Sequence, residues 1–200
     1  MVRLMLIALF AGACWIQPAF AQSLTAEQQI AAAVSPLPDE YKEGAEVRVF
    51  ADDGLETLRP GSNDMICLGD QPGDDRFHVA CYHDSLEPFM ERGRTLRAEG
   101  HDDDTVRQIR EEEARSGQLN MPEQAAALYS LTGPPDSFDP EDMTVSGATP
   151  LHVVYMPYAT TESTGLPSGA PRGQPWLMNP GMPWAHMMLV GPEASDGGSQ

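Results

Sequence analysis

The side chains able to do chemistry concentrate in one short stretch. Met178-Asn179-Pro180-Gly181-Met182-Pro183-Trp184-Ala185-His186-Met187-Met188 places four methionines, one histidine and one tryptophan within eleven residues. Thioethers and imidazole are the ligands that select Cu(I), and Trp184 could cap such an ion through a cation–π contact. Met178, Met182, His186 and Met188 are therefore a candidate copper site. Methionine is also the adaptable filler of irregular cores. If 185–190 is a strand, His186 and Met188 share one face while Met187 and Leu189 share the other, which divides the cluster.

Two further constellations are present. His152 and His186 fall in different apolar segments, and with a carboxylate they would make a hydrolytic acid–base site. Histidines on apolar strands more often serve as hydrogen-bonded core residues. Tyr155, Tyr158, Trp176 and Trp184 are the aromatic residues that would line a ligand pocket beside His152 and His186, where the 160–183 stretch meets them. Cys67, Cys81 and His83, with His78 nearby, offer zinc ligands, but not at the short spacings of structural zinc sites. An even cysteine pair in an exported chain fits one disulfide better. Closing a loop of about 15 residues stabilises by roughly 3 kcal/mol in the chain-entropy model. A hairpin centred on Pro72-Gly73 would place Cys67 opposite His78, so the bridge requires a shifted register or another kind of loop. No Gly-x-Ser-x-Gly, His-Glu-x-x-His, phosphate-binding glycine loop or Cys-x-x-Cys occurs, and no reaction is assigned.

Charge narrows the partners. The formal net charge is −18, which argues against nucleic acid or an anionic membrane surface. Six arginines, Arg92, Arg94, Arg97, Arg107, Arg110 and Arg115, fall in two expected helices and offer an anion site. The same stretch carries Glu91, Glu99, Asp102, Asp103, Asp104, Glu111, Glu112 and Glu113, so its local sum is negative. Glu111 and Arg115 have the favourable i,i+4 order, and a solvated, salt-bridged face is the reading that balance favours.

The elements that must position these residues can be read from pattern. Residues 1–21 have the grammar of a cleavable signal peptide: Arg3, an apolar run over 4–16, a break at Gln17-Pro18, and Ala19-Phe20-Ala21 before Gln22. Losing Arg3 would take the formal charge to −19. The apolar run is shorter than the roughly 20 residues a span needs, and no second such run follows. Acylation at Cys14 would make the chain a lipoprotein instead, but Ala11-Gly12-Ala13 lacks the usual leading Leu. The expected product is periplasmic or secreted, with a single domain over 22–190 and a disordered tail over 191–200.

A helix is expected over 25–34 with Thr25 as N-cap. A hairpin follows, Glu46-Val47-Arg48-Val49-Phe50 and Leu55-Glu56-Thr57-Leu58 turning at Asp53-Gly54. Short strands are expected at 65–68 and 77–82. A helix begins near Asp84, whose spacing to Glu87 is that of a capping box, and Gly100 ends it. A second helix opens at Asp102 and has only Val106 and Ile109 to bury. Apolar segments at 125–131, 151–158 and 185–190 read as strands joined by long Pro/Gly-rich loops over 132–150 and 160–183. The fold class is α+β, a largely antiparallel sheet with two or three helices.

The stretch from Leu128-Tyr129-Ser130-Leu131-Thr132-Gly133 through Tyr155-Met156-Pro157-Tyr158-Ala159-Thr160 to Pro183-Trp184-Ala185-His186-Met187-Met188 resembles exported bacterial proteins of unassigned function. The likeness extends back to Glu87-Pro88-Phe89-Met90-Glu91-Arg92-Gly93. It implies an origin in the bacterial envelope and carries over no catalytic residue. The expected function is that of a binding or accessory module for a protein or small-molecule ligand. Copper handling is the alternative and a histidine–carboxylate hydrolase the third reading.

Overall fold

The computed structural model describes residues 24–52, 54–169 and 173–192. The expected signal peptide with Cys14, and the tail from 193 onward, lie outside the described residues. The chain is α+β, built on one eight-stranded sheet that is antiparallel at every pairing but one.

Helix α1 (Ala26–Val34) starts as its sequence requires: Thr25 accepts from the Gln28 N–H while the Gln28 side chain accepts from the Thr25 N–H. A one-turn helix, α2 (Asp39–Lys42), leads into the hairpin of β1 (Glu46–Ala51) and β2 (Gly54–Arg59). Strand β3 (Met65–Leu68) lies parallel to β1 and antiparallel to β4 (Phe77–His83). Strands β5 (Ala126–Gly133), β8 (Thr149–Tyr155) and β10 (His186–Val190) continue the sheet, and β9 (Trp176–Met178) closes its far edge. A small hairpin, β6 (Phe138–Asp139) with β7 (Thr144–Val145), stands on one face, where Phe138 stacks on Phe77 at 6.4 Å.

Alternation divides β4 between two cores. Phe77, Val79 and Cys81 point toward α1, where Ala33 and Val34 pack with Val47, Met65 and the cysteine pair, and Ala32 packs with Phe77 and Val79. Tyr82 points to the opposite face and packs with Ile66, Leu86 and Ala126. That face is covered by α3 (Glu87–Ala98) and α4 (Asp103–Arg115), whose buried Phe89 and Ala114 meet Leu119 and Trp184.

Three expectations change. Asp84 and Glu87 do not form a capping box. Asp84–Leu86 is a 3-10 turn whose Ser85 N–H is accepted by His83, and α3 begins after Leu86 with no side-chain cap. The Glu87 carboxylate turns instead to two guanidinium groups, a stronger set of donors than an orphan amide. Helix α4 is capped by Asp102 as expected, but it buries Val106 and Ala114 while Ile109 stays half-buried. The 160–183 stretch is more than a loop, because it holds a one-turn helix, α5 (Thr161–Thr164), and the edge strand β9.

The register settles the cysteine question. Cys67 stands directly opposite Cys81, with Cα atoms 4.0 Å apart and the sulfurs at disulfide distance. The 69–76 loop is asymmetric: the Asp70 carboxylate accepts the His78 N–H at 2.7 Å, and β4 runs past the end of β3 to pair with β5. With both sulfurs committed to each other, neither is free for zinc beside His78 or His83. We expect the Cys67→Ser, Cys81→Ser double variant to lose about 3 kcal/mol of unfolding free energy and to ignore reductant. The check is urea unfolding with and without reductant. Wild-type protein equally indifferent to reductant would mean that the cysteines are not bridged.

Candidate functional site

Between α3, α4 and the sheet face that carries Tyr82 lies a cleft of about 1230 Å³. Its floor is made by strand residues that alternation points the same way: Arg48, Leu68, Ala80, Tyr82, Leu128, Tyr155 and His186. Its helical wall carries Phe89, Met90, Arg94, Arg97, Arg107 and Arg110. Asn179 and Trp184 complete one end, and Phe50, Leu55 and His78 line the other.

One part of the wall is an ion network centred on Glu87. Its carboxylate accepts from Arg48 at 2.5 Å, from Arg94 at 2.7 Å and from the Tyr82 hydroxyl at 2.5 Å. Arg94 also donates to the Tyr82 oxygen at 3.1 Å, and Arg48 donates to Glu46 at 2.6 Å. Burial works against the Arg48 charge, but Glu46 and Glu87 outweigh it and raise its pKa. Burial, then the hydrogen bond to Glu87, pushes the Tyr82 hydroxyl well above the ordinary phenol range. This network ties α3 to β1 and β4.

The other part is aromatic. Phe89 stacks on Trp184 at 5.8 Å and meets the edge of Tyr155 at 6.2 Å, and Tyr155 lies 4.9 Å from the His186 ring. The Arg110 guanidinium sits 4.0 Å above the Phe89 ring. Burial pushes the Tyr155 hydroxyl up to about 12. His186 is buried, and its Nδ1 is 2.7 Å from the Trp184 carbonyl oxygen. A carbonyl only accepts, so Nδ1 carries the proton and Nε2 keeps its lone pair. Burial holds the His186 pKa below its ordinary value.

Of the residues singled out from sequence, Tyr155, Trp184 and His186 come together in the cleft. His152 does not join them. It pairs with Leu189 where His186 pairs with Tyr155, so the two histidines occupy opposite faces, and His152 meets the Tyr129 ring at 5.8 Å. The His152–His186 pair of a hydrolase is therefore not formed. Tyr158 lies in the turn after β8, 47% exposed and with φ of 62°. Met178 stands opposite His186, and Met188 opposite Trp176, so all four share one face of the sheet. Met182 instead packs with Phe89 and Trp184, its sulfur 3.8 Å from an Arg115 nitrogen. Among the described residues, no cluster of three or more His, Cys, Asp or Glu is placed to hold a metal ion.

Sequence reasoning offers the six arginines as an anion site and ranks a solvated, salt-bridged face above it; the structure divides them. Arg94 with Arg97, and Arg107 with Arg110, have the i,i+3 spacing that puts each pair on one helix face, and these four line the cleft. Arg92 and Arg115 do behave as a salt-bridged surface, held by Glu113 and Glu111. Comparison with known proteins finds no matching family model, curated protein or solved structure.

His78 also has its pKa held below the ordinary 6.5, by burial and then by Arg76. As pH falls below 6.5, the unfolded chain takes up protons at His78 and His186 that the folded chain refuses. The stability these neutral rings contribute is therefore full above that pH and is lost as pH falls toward their folded pKa values. We expect urea unfolding to show a drop in stability between about pH 7.5 and about pH 5, and a smaller drop in His186→Gln. Identical drops in the two proteins would mean that His186 titrates normally.

Proposed function

We propose that this chain is an exported binding or accessory protein that takes a small ligand into the cleft beneath α3 and has no catalysis of its own. One observation carries this reading: a single cleft of about 1230 Å³ combines aromatic walls with a few convergent polar groups, the usual make-up of a small-molecule site. Export is supported by the signal-like N-terminus and by a cysteine pair at disulfide distance. No helix among the described residues is long and apolar enough to cross a membrane.

Two measurements test it. The chain expressed in full in a bacterium should be recovered from the periplasm with a mass beginning at Gln22; an intact Met1 terminus in the cytosol would remove export. The dye anilinonaphthalene sulfonate should bind the folded protein saturably, at about one dye per chain. Ala80→Phe, which fills the cleft floor, should abolish binding while leaving the near-UV circular dichroism intact. Dye binding that Ala80→Phe does not touch would place the site elsewhere.

Copper handling is the second reading, and the β9–β10 register favours it by setting Met178 and Met188 on the His186 face with the Nε2 lone pair free. Competition with bathocuproine should then show Met178→Leu and His186→Gln each lowering Cu(I) affinity at least about tenfold, with Met182→Leu unchanged. Equal affinities across the three variants would dismiss the site.

A further inference from the structure

A guanidinium withdrawn from water needs a counter-charge or a full set of acceptors. Every other arginine of the cleft has a carboxylate: Arg48 and Arg94 share Glu87, Arg97 pairs with Asp103 at 3.1 Å, and Arg107 pairs with Asp104. Arg110 has none within ion-pairing distance among the described residues. One Nη1 hydrogen goes to the Phe89 carbonyl oxygen at 3.2 Å, and Nε is buried without an acceptor. Burial, then the neighbouring Arg97, holds its pKa down to about 10, so it is still charged at neutral pH.

The fold gives up helix stability to seat this group. A Cβ on Gly93, in the middle of α3, would lie 2.8 Å from the Arg110 Nη1 and 3.2 Å from its Cζ. A glycine inside a helix weakens it relative to alanine, and here its missing side chain makes room for an unneutralised cation. On one side of that cation the walls are uncharged and flat, with Phe89 beneath the guanidinium, Trp184 and Tyr155 around Phe89 and a neutral His186 beyond; on the other stands Arg97, its charge already met by Asp103.

Taking the cleft as the binding site, we propose that Arg110 anchors the ligand there, and that the ligand is a small organic monocarboxylate with an aromatic body. The carboxylate supplies the missing counter-charge and accepts from the guanidinium fork. The aromatic body lies against the half-buried Tyr155, Met90 and Leu128 of the cleft. A single negative charge suffices, because Arg97 and Arg107 are already neutralised.

Isothermal titration calorimetry with naphthoate and its neutral isostere naphthamide tests this. Wild-type protein should bind naphthoate at least about tenfold more tightly. Arg110→Met should bring the two probes within about twofold of each other without lowering the thermal midpoint, because it removes a half-buried charge that has no carboxylate partner. Gly93→Ala should weaken naphthoate and spare naphthamide. Equal affinities in the wild type, or a preference that survives Arg110→Met, would overturn the proposal. Should Arg110→Met fail to fold, the wild-type comparison decides alone. If neither probe binds and the dye does not bind either, the cleft reading falls and the anchor with it. If the dye binds, Ala80→Phe blocks it and the two probes bind alike, only the anchor falls.

Discussion

Strand β4 carries buried residues on both of its faces, and the rest of the molecule is arranged by that. Phe77, Val79 and Cys81 on one side and Tyr82 on the other are all withdrawn from water, so each face must be covered by something apolar. On the first face α1 lies close because its contact residues are small: Ala32 and Ala33 let its backbone approach β4 and β1. On the second face the chain leaves β4 through a 3-10 turn and returns over the sheet as α3. Tyr82 and Glu87, five residues apart, then meet across that turn at 2.5 Å. Arg48 and Arg94 close on the same carboxylate from β1 and α3. The position of α3 is set by this four-residue contact as much as by the burial of Phe89 and Leu96.

Coverage of that second face is incomplete for a geometrical reason. Eight strands at about 4.8 Å spacing make a surface some 35 Å across, whereas a helix with its side chains is about 10 Å wide. Two helices packed side by side cannot close it. What remains between α3, α4 and the floor is the cleft, and the chemistry of its lining divides by pairing. Where α3 joins β1 and β4, guanidinium and carboxylate neutralise each other. Where α4 approaches Trp184, one guanidinium is left over, seated by the absence of a side chain at Gly93.

Much of the scaffold could be read from residue patterns. The Thr25 cap, the 46–59 hairpin, the two arginine-bearing helices and the three C-terminal strands each have a local signal, either a cap, a turn or a period. Strand neighbours have no such signal. Nothing in Glu46-Val47-Arg48 announces a parallel partner in β3, and three residues of β9 are too few to show alternation. His152 and His186 were plausible partners only while the register of β8 against β10 was unknown; a shift of one residue moves a side chain to the other face. The charge of α3 and α4 misled in another way. Summed along the chain it is negative, but Glu111 and Glu113 hold Arg115 and Arg92 at the surface, while Asp103 and Asp104 neutralise only two of the arginines that face the cleft. A local sum cannot reveal a remainder of one.

That remainder matters because of where it sits. A molecule with a formal charge of −18 repels anions over most of its surface, and the repulsion grows with the charge of the approaching ion. A strongly hydrated phosphate or sulfate would face the largest repulsion and would also lose its water to enter a cleft walled by Phe89, Tyr155 and Trp184. A weakly hydrated monocarboxylate on an apolar body loses least on approach and gains most on arrival, through area removed from water and a counter-ion in a medium where charges are poorly screened. The acidic surface and the one half-buried guanidinium of the cleft that lacks a carboxylate thus act together as a filter. The surface discourages highly charged anions, and Arg110 gives an aromatic acid the one interaction that its neutral analogue lacks.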